Sequence, residues 1–148
     1  VAAGNRKVAL VACDLVVIPP AVIEHARKLI QADTGIPGTN VMISATHSHT
    51  GPLIPNGGSR ESAYGGQLPI AQQYRKDLPR KIADSVRSAN ANLVPARVSY
   101  GKGKEDSISF NRRFFMKDGM VGWNAGKLNP NIVNPAGPID PDVSGMMF

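Results

Sequence analysis

The apolar positions near the start of the chain fall into two kinds of run. Residues 7–17 are almost continuous Val, Leu and Ala, broken by Asp14, and read as a buried strand. Pro19-Pro20 ends that run and suits a helix's first turn, where a missing N–H is no loss. Over residues 21–32, Val22, Ile23, Ala26, Leu29 and Ile30 recur at helical spacing and form one apolar stripe. Gly35 closes this helix and Pro37-Gly38 turns the chain. Residues 40–45 form a second apolar run ending in Val41-Met42-Ile43-Ser44-Ala45. Strand, helix and strand together predict a parallel, right-handed β-α-β unit. Ligand sites in such sheets lie at the carboxyl ends of the strands.

The pattern then loosens. Residues 51–68 are rich in Gly, Pro, Ser and Asn, and a structureless loop of that length is usually functional or mobile. A second helix is expected over residues 72–90, with Leu78, Ile82, Val86 and Ala89 on one face. Pro79 either kinks it or marks a fresh start capped by Asp77. Residues 96–101 read as a third strand. Residues 114–117 and 120–123 flank Asp118-Gly119, a two-residue hairpin signal. Residues 124–142 are rich in Pro, Asn and Gly and read as an extended loop. Residues 143–148 read as a strand. The fold class is therefore α/β, a mixed sheet with covering helices and a β-α-β start.

Composition narrows the classes of function. The 148 residues are 42% apolar, enough to fill a core. The start at Val1 and the apolar finish at Met146-Met147-Phe148 suggest a piece of a longer protein. Lys and Arg number 17 against 11 Asp and Glu, but they are scattered. No basic run of nucleic-acid type is present, so no nucleic acid partner is expected. Cys13 is the one cysteine, which rules out an intrachain disulfide and reads as a small buried hydrophobe. No apolar run approaches the ~18 residues that span a bilayer.

Candidate chemistry gathers after the second strand, in Thr46-His47-Ser48-His49-Thr50-Gly51-Pro52. Side chains at i and i+2 of a strand share a face, so both imidazoles should emerge together at a strand's carboxyl end. Imidazole is the commonest side-chain ligand for zinc. The spacing suggests part of a metal site; the plainer reading is two polar residues capping a strand, with Thr46, Ser48 and Thr50 as hydrogen-bond partners. Thr50-Gly51 follows His49, which excludes the metallo-β-lactamase pattern of Asp-His at that place. Asp14 either orients a metal-bound imidazole from behind or makes a structural hydrogen bond to a loop amide. His25 reads as a solvated helix residue. Of Asn111-Arg112-Arg113, one arginine should face a site, where a guanidinium clamps a carboxylate or polarises a carbonyl.

These residues have a familiar order. Ile43 to Pro52 resembles the strand and loop of the neutral/alkaline non-lysosomal ceramidases, whose pattern is A/S-T-H-T/S-H-S/T-G-P. Phe110-Asn111-Arg112-Arg113 resembles that family's Asn-Arg motif, Asp140-Pro141-Asp142-Val143 its Asp-Pro segment, and Asp14 an Asp of its first strand. Two places depart from the pattern: Leu53-Ile54-Pro55 stands where better-known members carry more glycine, and Arg113 replaces a small residue. The resemblance implies the N-terminal portion of a larger catalytic domain, spanning residues 1–148. It implies a zinc-dependent amide hydrolase that splits ceramide into sphingosine and fatty acid. In it His47 would be a zinc ligand, His49 would lie beside the reacting water or carbonyl, Arg112 would shape the pocket, and Asp14 would stand behind the ligand. The remaining ligands, a His, a Glu and a Tyr, would lie outside these residues, so this stretch alone should be inactive. A ceramide-like lipid would be the substrate partner, with peripheral contact to a membrane. Two alternatives stay open: a zinc hydrolase of a non-lipid amide or ester, and a non-catalytic binding module on the same scaffold.

Overall fold

The computed structural model describes residues 1–55, 57–58 and 62–148. They form two compact units, Val1–Val94 and Pro95–Phe148, with the strands and two helices of an α/β chain.

The first unit opens with a small antiparallel pair, β1 (Ala2–Ala3) and β2 (Arg6–Lys7). Then β3 (Ala9–Cys13), α1 (Pro20–Thr34) and β4 (Val41–Ala45) build the expected unit. β3 and β4 pair in parallel, in register from Ala9 opposite Val41 to Cys13 opposite Ala45. β3 stops earlier than its apolar run because the Leu15 N–H turns back onto the Cys13 carbonyl at 2.8 Å. α1 begins on Pro20 and ends at Gly35, whose φ of 71° is left-handed and whose N–H donates to the Gln31 carbonyl at 2.9 Å. Its stripe of Val22, Ala26 and Ile30 is buried. The Arg27 guanidinium ties α1 to β4 through two bonds to the Val41 carbonyl, at 3.1 and 3.0 Å.

α2 (Pro69–Ala91) runs unbroken through Pro79, so the fresh start at Asp77 does not occur. A proline inside a helix costs about 3 kcal/mol or more through a lost bond and a ring clash. Here the ring is buried beside Leu78, Ile82, Ala83 and Val86, and apolar burial of ~1.5–3 kcal/mol for each large side chain offsets that cost. Those side chains, the α1 stripe, and Ala9, Val41 and Ile43 make one core. Arg80 of α2 pairs with Asp33 of α1 at its rim. The opposite face of the β3–β4 pair is bare, with Leu10 57% and Met42 59% exposed. Between β4 and α2, the described parts of the loop include a short 3-10 turn, Ser62–Tyr64; residues 56 and 59–61 of the expected loop lie outside the described residues. Among the described residues no helix is long and apolar enough to cross a membrane.

The second unit is all β. β5 (Ser99–Lys104) pairs antiparallel with β9 (Asp142–Met147). β6 (Arg113–Met116), β7 (Val121–Trp123) and β8 (Ile132–Pro135) form a sheet of order β7-β6-β8. Asp118-Gly119 makes the expected turn, Gly119 having a φ of 80°. Two expectations shift. β5 sits three residues later than its β-rich run, because pairing with β9 draws in Gly101 to Lys104, which have little strand preference of their own. β8 falls inside the stretch expected as loop; β6 supplies an antiparallel partner, across a bulge at Phe115/Met116, that local composition does not reveal. Among the described residues the strands lie in four small sheets, one parallel and three antiparallel.

Candidate functional site

β4 ends at Ala45, and the chain stays against the exit of β3 for three residues more. The Thr46 N–H donates to the Cys13 carbonyl at 3.0 Å, and the Ser48 N–H to the Leu15 carbonyl at 3.2 Å. Between these anchors His47 adopts a φ of 62°, a left-handed backbone rare outside glycine. Bonds on both sides over-determine the conformation, which is the condition under which such strain persists. The two imidazoles do come together, with centroids 5.0 Å apart and planes at 82°. Strand pleating is not the cause, since the strand has already ended. The left-handed turn at His47 brings the rings together.

The His47 ring is held in a definite tautomer. Its Nδ1 lies 3.0 Å from the Val16 carbonyl oxygen. A carbonyl only accepts, so Nδ1 carries a proton, and in the neutral ring the lone pair is on Nε2. Metal-binding histidines are held in this way, one nitrogen on a carbonyl or carboxylate and the other free. The supporting acceptor is thus a backbone atom. Asp14 has another partner: its Oδ1 accepts from the Thr46 hydroxyl at 3.0 Å. Ser48 and Thr50 bond each other at 3.1 Å. Among the described residues none of these hydroxyls bonds a histidine. The chain then passes so close over Asp14 that a Cβ on Gly51 would lie 1.9 Å from the Asp14 carbonyl oxygen. Only glycine fits there.

Two imidazoles bound to one zinc at about 2.0–2.1 Å with tetrahedral angles have centroids about 5 Å apart. The observed 5.0 Å fits joint ligation as well as a neighbouring role for His49. Among the described residues no group of three His, Cys, Asp or Glu side chains gathers. A catalytic zinc takes three protein ligands, so the donors fit the metal in kind and fall short in number. Beside this cluster, on the α2 side of β3, is a cleft of about 290 Å³ lined by Cys13, Asp14, Pro52, Tyr74, Leu78 and Lys81 among others. Cys13 there has its thiol pKa raised, first by burial and then by the negative charge of Asp14. His25 is exposed on α1.

Arg112 lies in the second unit, just before β6. The Asn111 side chain fixes this segment: it donates to the Gly137 carbonyl at 3.0 Å and accepts from the Arg113 N–H at 2.9 Å. The Asn124 N–H donates to the Arg112 carbonyl at 2.8 Å. The Arg112 guanidinium lies over the Trp123 ring, 5.6 Å from its centroid. Sequence reasoning passed over Val16, Gly51 and Trp123. Val16 acts through its backbone and leaves no trace in side-chain chemistry. Trp123 was legible from the hairpin, since the two-residue turn sets it opposite Arg113.

The chain is similar to the neutral ceramidase of Pseudomonas aeruginosa, 31% identical over 152 residues. The match covers 99% of this chain and 21% of that protein, so the chain spans about a fifth of the length of the curated relative it matches. No family model matches it, and no solved structure matches it. The likeness is that of a ceramidase-like fragment.

Proposed function

We propose that this chain is part of a zinc-dependent amide hydrolase acting on N-acylsphingosine, releasing sphingosine and a fatty acid. One observation carries the reading: His47 and His49 meet at the exit of the parallel pair, with His47 Nδ1 tied to Val16 so that Nε2 is free. The likeness to a neutral ceramidase over nearly the whole chain supports the substrate class. In this reading residues 1–148 are the N-terminal portion of the catalytic domain, and the longer polypeptide supplies the remaining ligands.

His47 would hold the metal through Nε2. His49, beside it, moves a proton or donates to the carbonyl being attacked. Asp14 keeps Thr46 in place and so fixes the entry to the histidine turn. Arg112, which the resemblance assigns to the substrate pocket, would help shape it. Zinc, when bound, acts as a Lewis acid on a carbonyl and acidifies water. The lipid substrate would come from a membrane surface that the protein contacts peripherally. The test is zinc content and fatty-acid release from N-acylsphingosine by a polypeptide that carries this chain and extends to the relative's length. Metal-stoichiometric, chelator-sensitive hydrolysis is expected. Protein that purifies without metal and ignores chelator overturns the reading.

A further inference from the structure

Two arginines stand side by side at the start of β6, and both are exposed. The structure treats them differently. Arg113 is in the strand, opposite Trp123, and among the described residues its side chain makes no hydrogen bond or ion pair. Arg112 precedes the strand in a turn closed by Asn111, which swings its side chain over the Trp123 ring at 5.6 Å. The Arg112 backbone is clamped by the N–H of Asn124, just past the end of β7, and Asn124 itself holds a left-handed φ of 50°. Among the described residues Arg112 has no carboxylate partner, although the guanidinium is the group that pairs best with one.

We propose that Trp123 is a positioning residue for Arg112. The indole face holds the guanidinium plane and leaves its donors free for an acyl carbonyl or a carboxylate. The assignment rests on the functional reading above for what Arg112 recognises, but the contact with the Trp123 ring stands without it. A flat cation on an aromatic face loses mobility while keeping its in-plane N–H groups outward. Arg113, without such a platform, keeps the freedom of a surface side chain.

The test uses the 148-residue chain and needs no catalysis, so failure of the amidase reading and failure here are distinguishable. In ¹⁵N relaxation, the Arg112 Nε–H should be more ordered than that of Arg113. Trp123→Ala should lower it to the Arg113 level, and Trp123→Phe, which keeps a ring, should restore it. Trp123 is the one tryptophan, so fluorescence checks the pair from the other side without altering the indole. Arg112→Ala should raise acrylamide quenching about twofold by baring one ring face, and Arg113→Ala should leave it unchanged. Octanoate, as the carboxylate probe, should shift the Arg112 Nε–H resonance, with affinity about two- to fivefold weaker in Trp123→Ala. Unchanged Arg112 order in Trp123→Ala, equal loss in Trp123→Phe, quenching indifferent to Arg112, or octanoate binding that is absent or the same in both chains overturns the assignment.

Discussion

Replacing His47 by glycine should leave a more stable protein than replacing it by alanine. Both variants lose the imidazole and its bond to Val16, so that loss cancels between them. What remains is the backbone. At a φ of 62° an L-residue carries roughly 1–2 kcal/mol of steric strain, which glycine does not. Glycine also widens the unfolded ensemble, which destabilises by about 0.4–1 kcal/mol. The difference centres on about 0.8 kcal/mol in favour of glycine, or about 2–3 °C in Tm for a chain of this size. Urea unfolding followed by circular dichroism measures it. Ala32 in α1 provides the control, because there Ala32→Gly should destabilise by about 0.5–1 kcal/mol. If His47→Gly is no more stable than His47→Ala, the turn at His47 is not left-handed in solution. The account of why the two imidazoles meet then fails with it.

Other outcomes follow from the same geometry. Gly51→Ala drives a Cβ into the Asp14 carbonyl and should destabilise by about 1–3 kcal/mol or more; a loss below about 0.5 kcal/mol in the same urea assay contradicts the close crossing. The 148-residue chain should bind zinc weakly in calorimetry. His47→Ala should abolish that binding, and His49→Ala should retain much of it; equal loss would make the two histidines joint ligands. In the longer polypeptide Arg112→Ala should slow amide hydrolysis more than Arg113→Ala, read as kcat/KM on one lipid. Cys13 holds its proton more tightly folded than unfolded, so its contribution to stability is full below the unfolded thiol's pKa. That contribution is lost as pH rises through the raised folded value. Cys13→Ala should flatten the alkaline limb of a stability–pH curve, and iodoacetamide should label the folded thiol with a midpoint above that of free cysteine.

Periodicity located what local pattern controls. The α1 stripe, the Gly35 cap, the β3 and β4 runs of the parallel pair and the Asp118-Gly119 turn were all legible, because each is written in the residues of the element itself. β8 and the shifted β5 were not, because neither segment carries a strand pattern of its own and each takes its form from its partner strand. Pro79 misled for a related reason: its local penalty is offset by burial against α1, which no window of sequence contains. At the site, the pairing of the histidines was anticipated from the i, i+2 spacing, but the spacing acts through a left-handed turn and not through a pleat. The partner of His47 was illegible, since the acceptor is a backbone carbonyl that any residue at position 16 would present.

The crossing of Gly51 over Asp14 also bears on how this gene can vary. Every codon one nucleotide away from a glycine codon, apart from synonyms and stops, specifies a residue with a Cβ. All of those side chains begin with the atom that would fall 1.9 Å from the Asp14 carbonyl oxygen. Every missense step at this codon therefore meets the same steric cost, and relief requires a compensating backbone change around Asp14. In a saturation library selected for folding alone, the codon should favour silent change over every missense step.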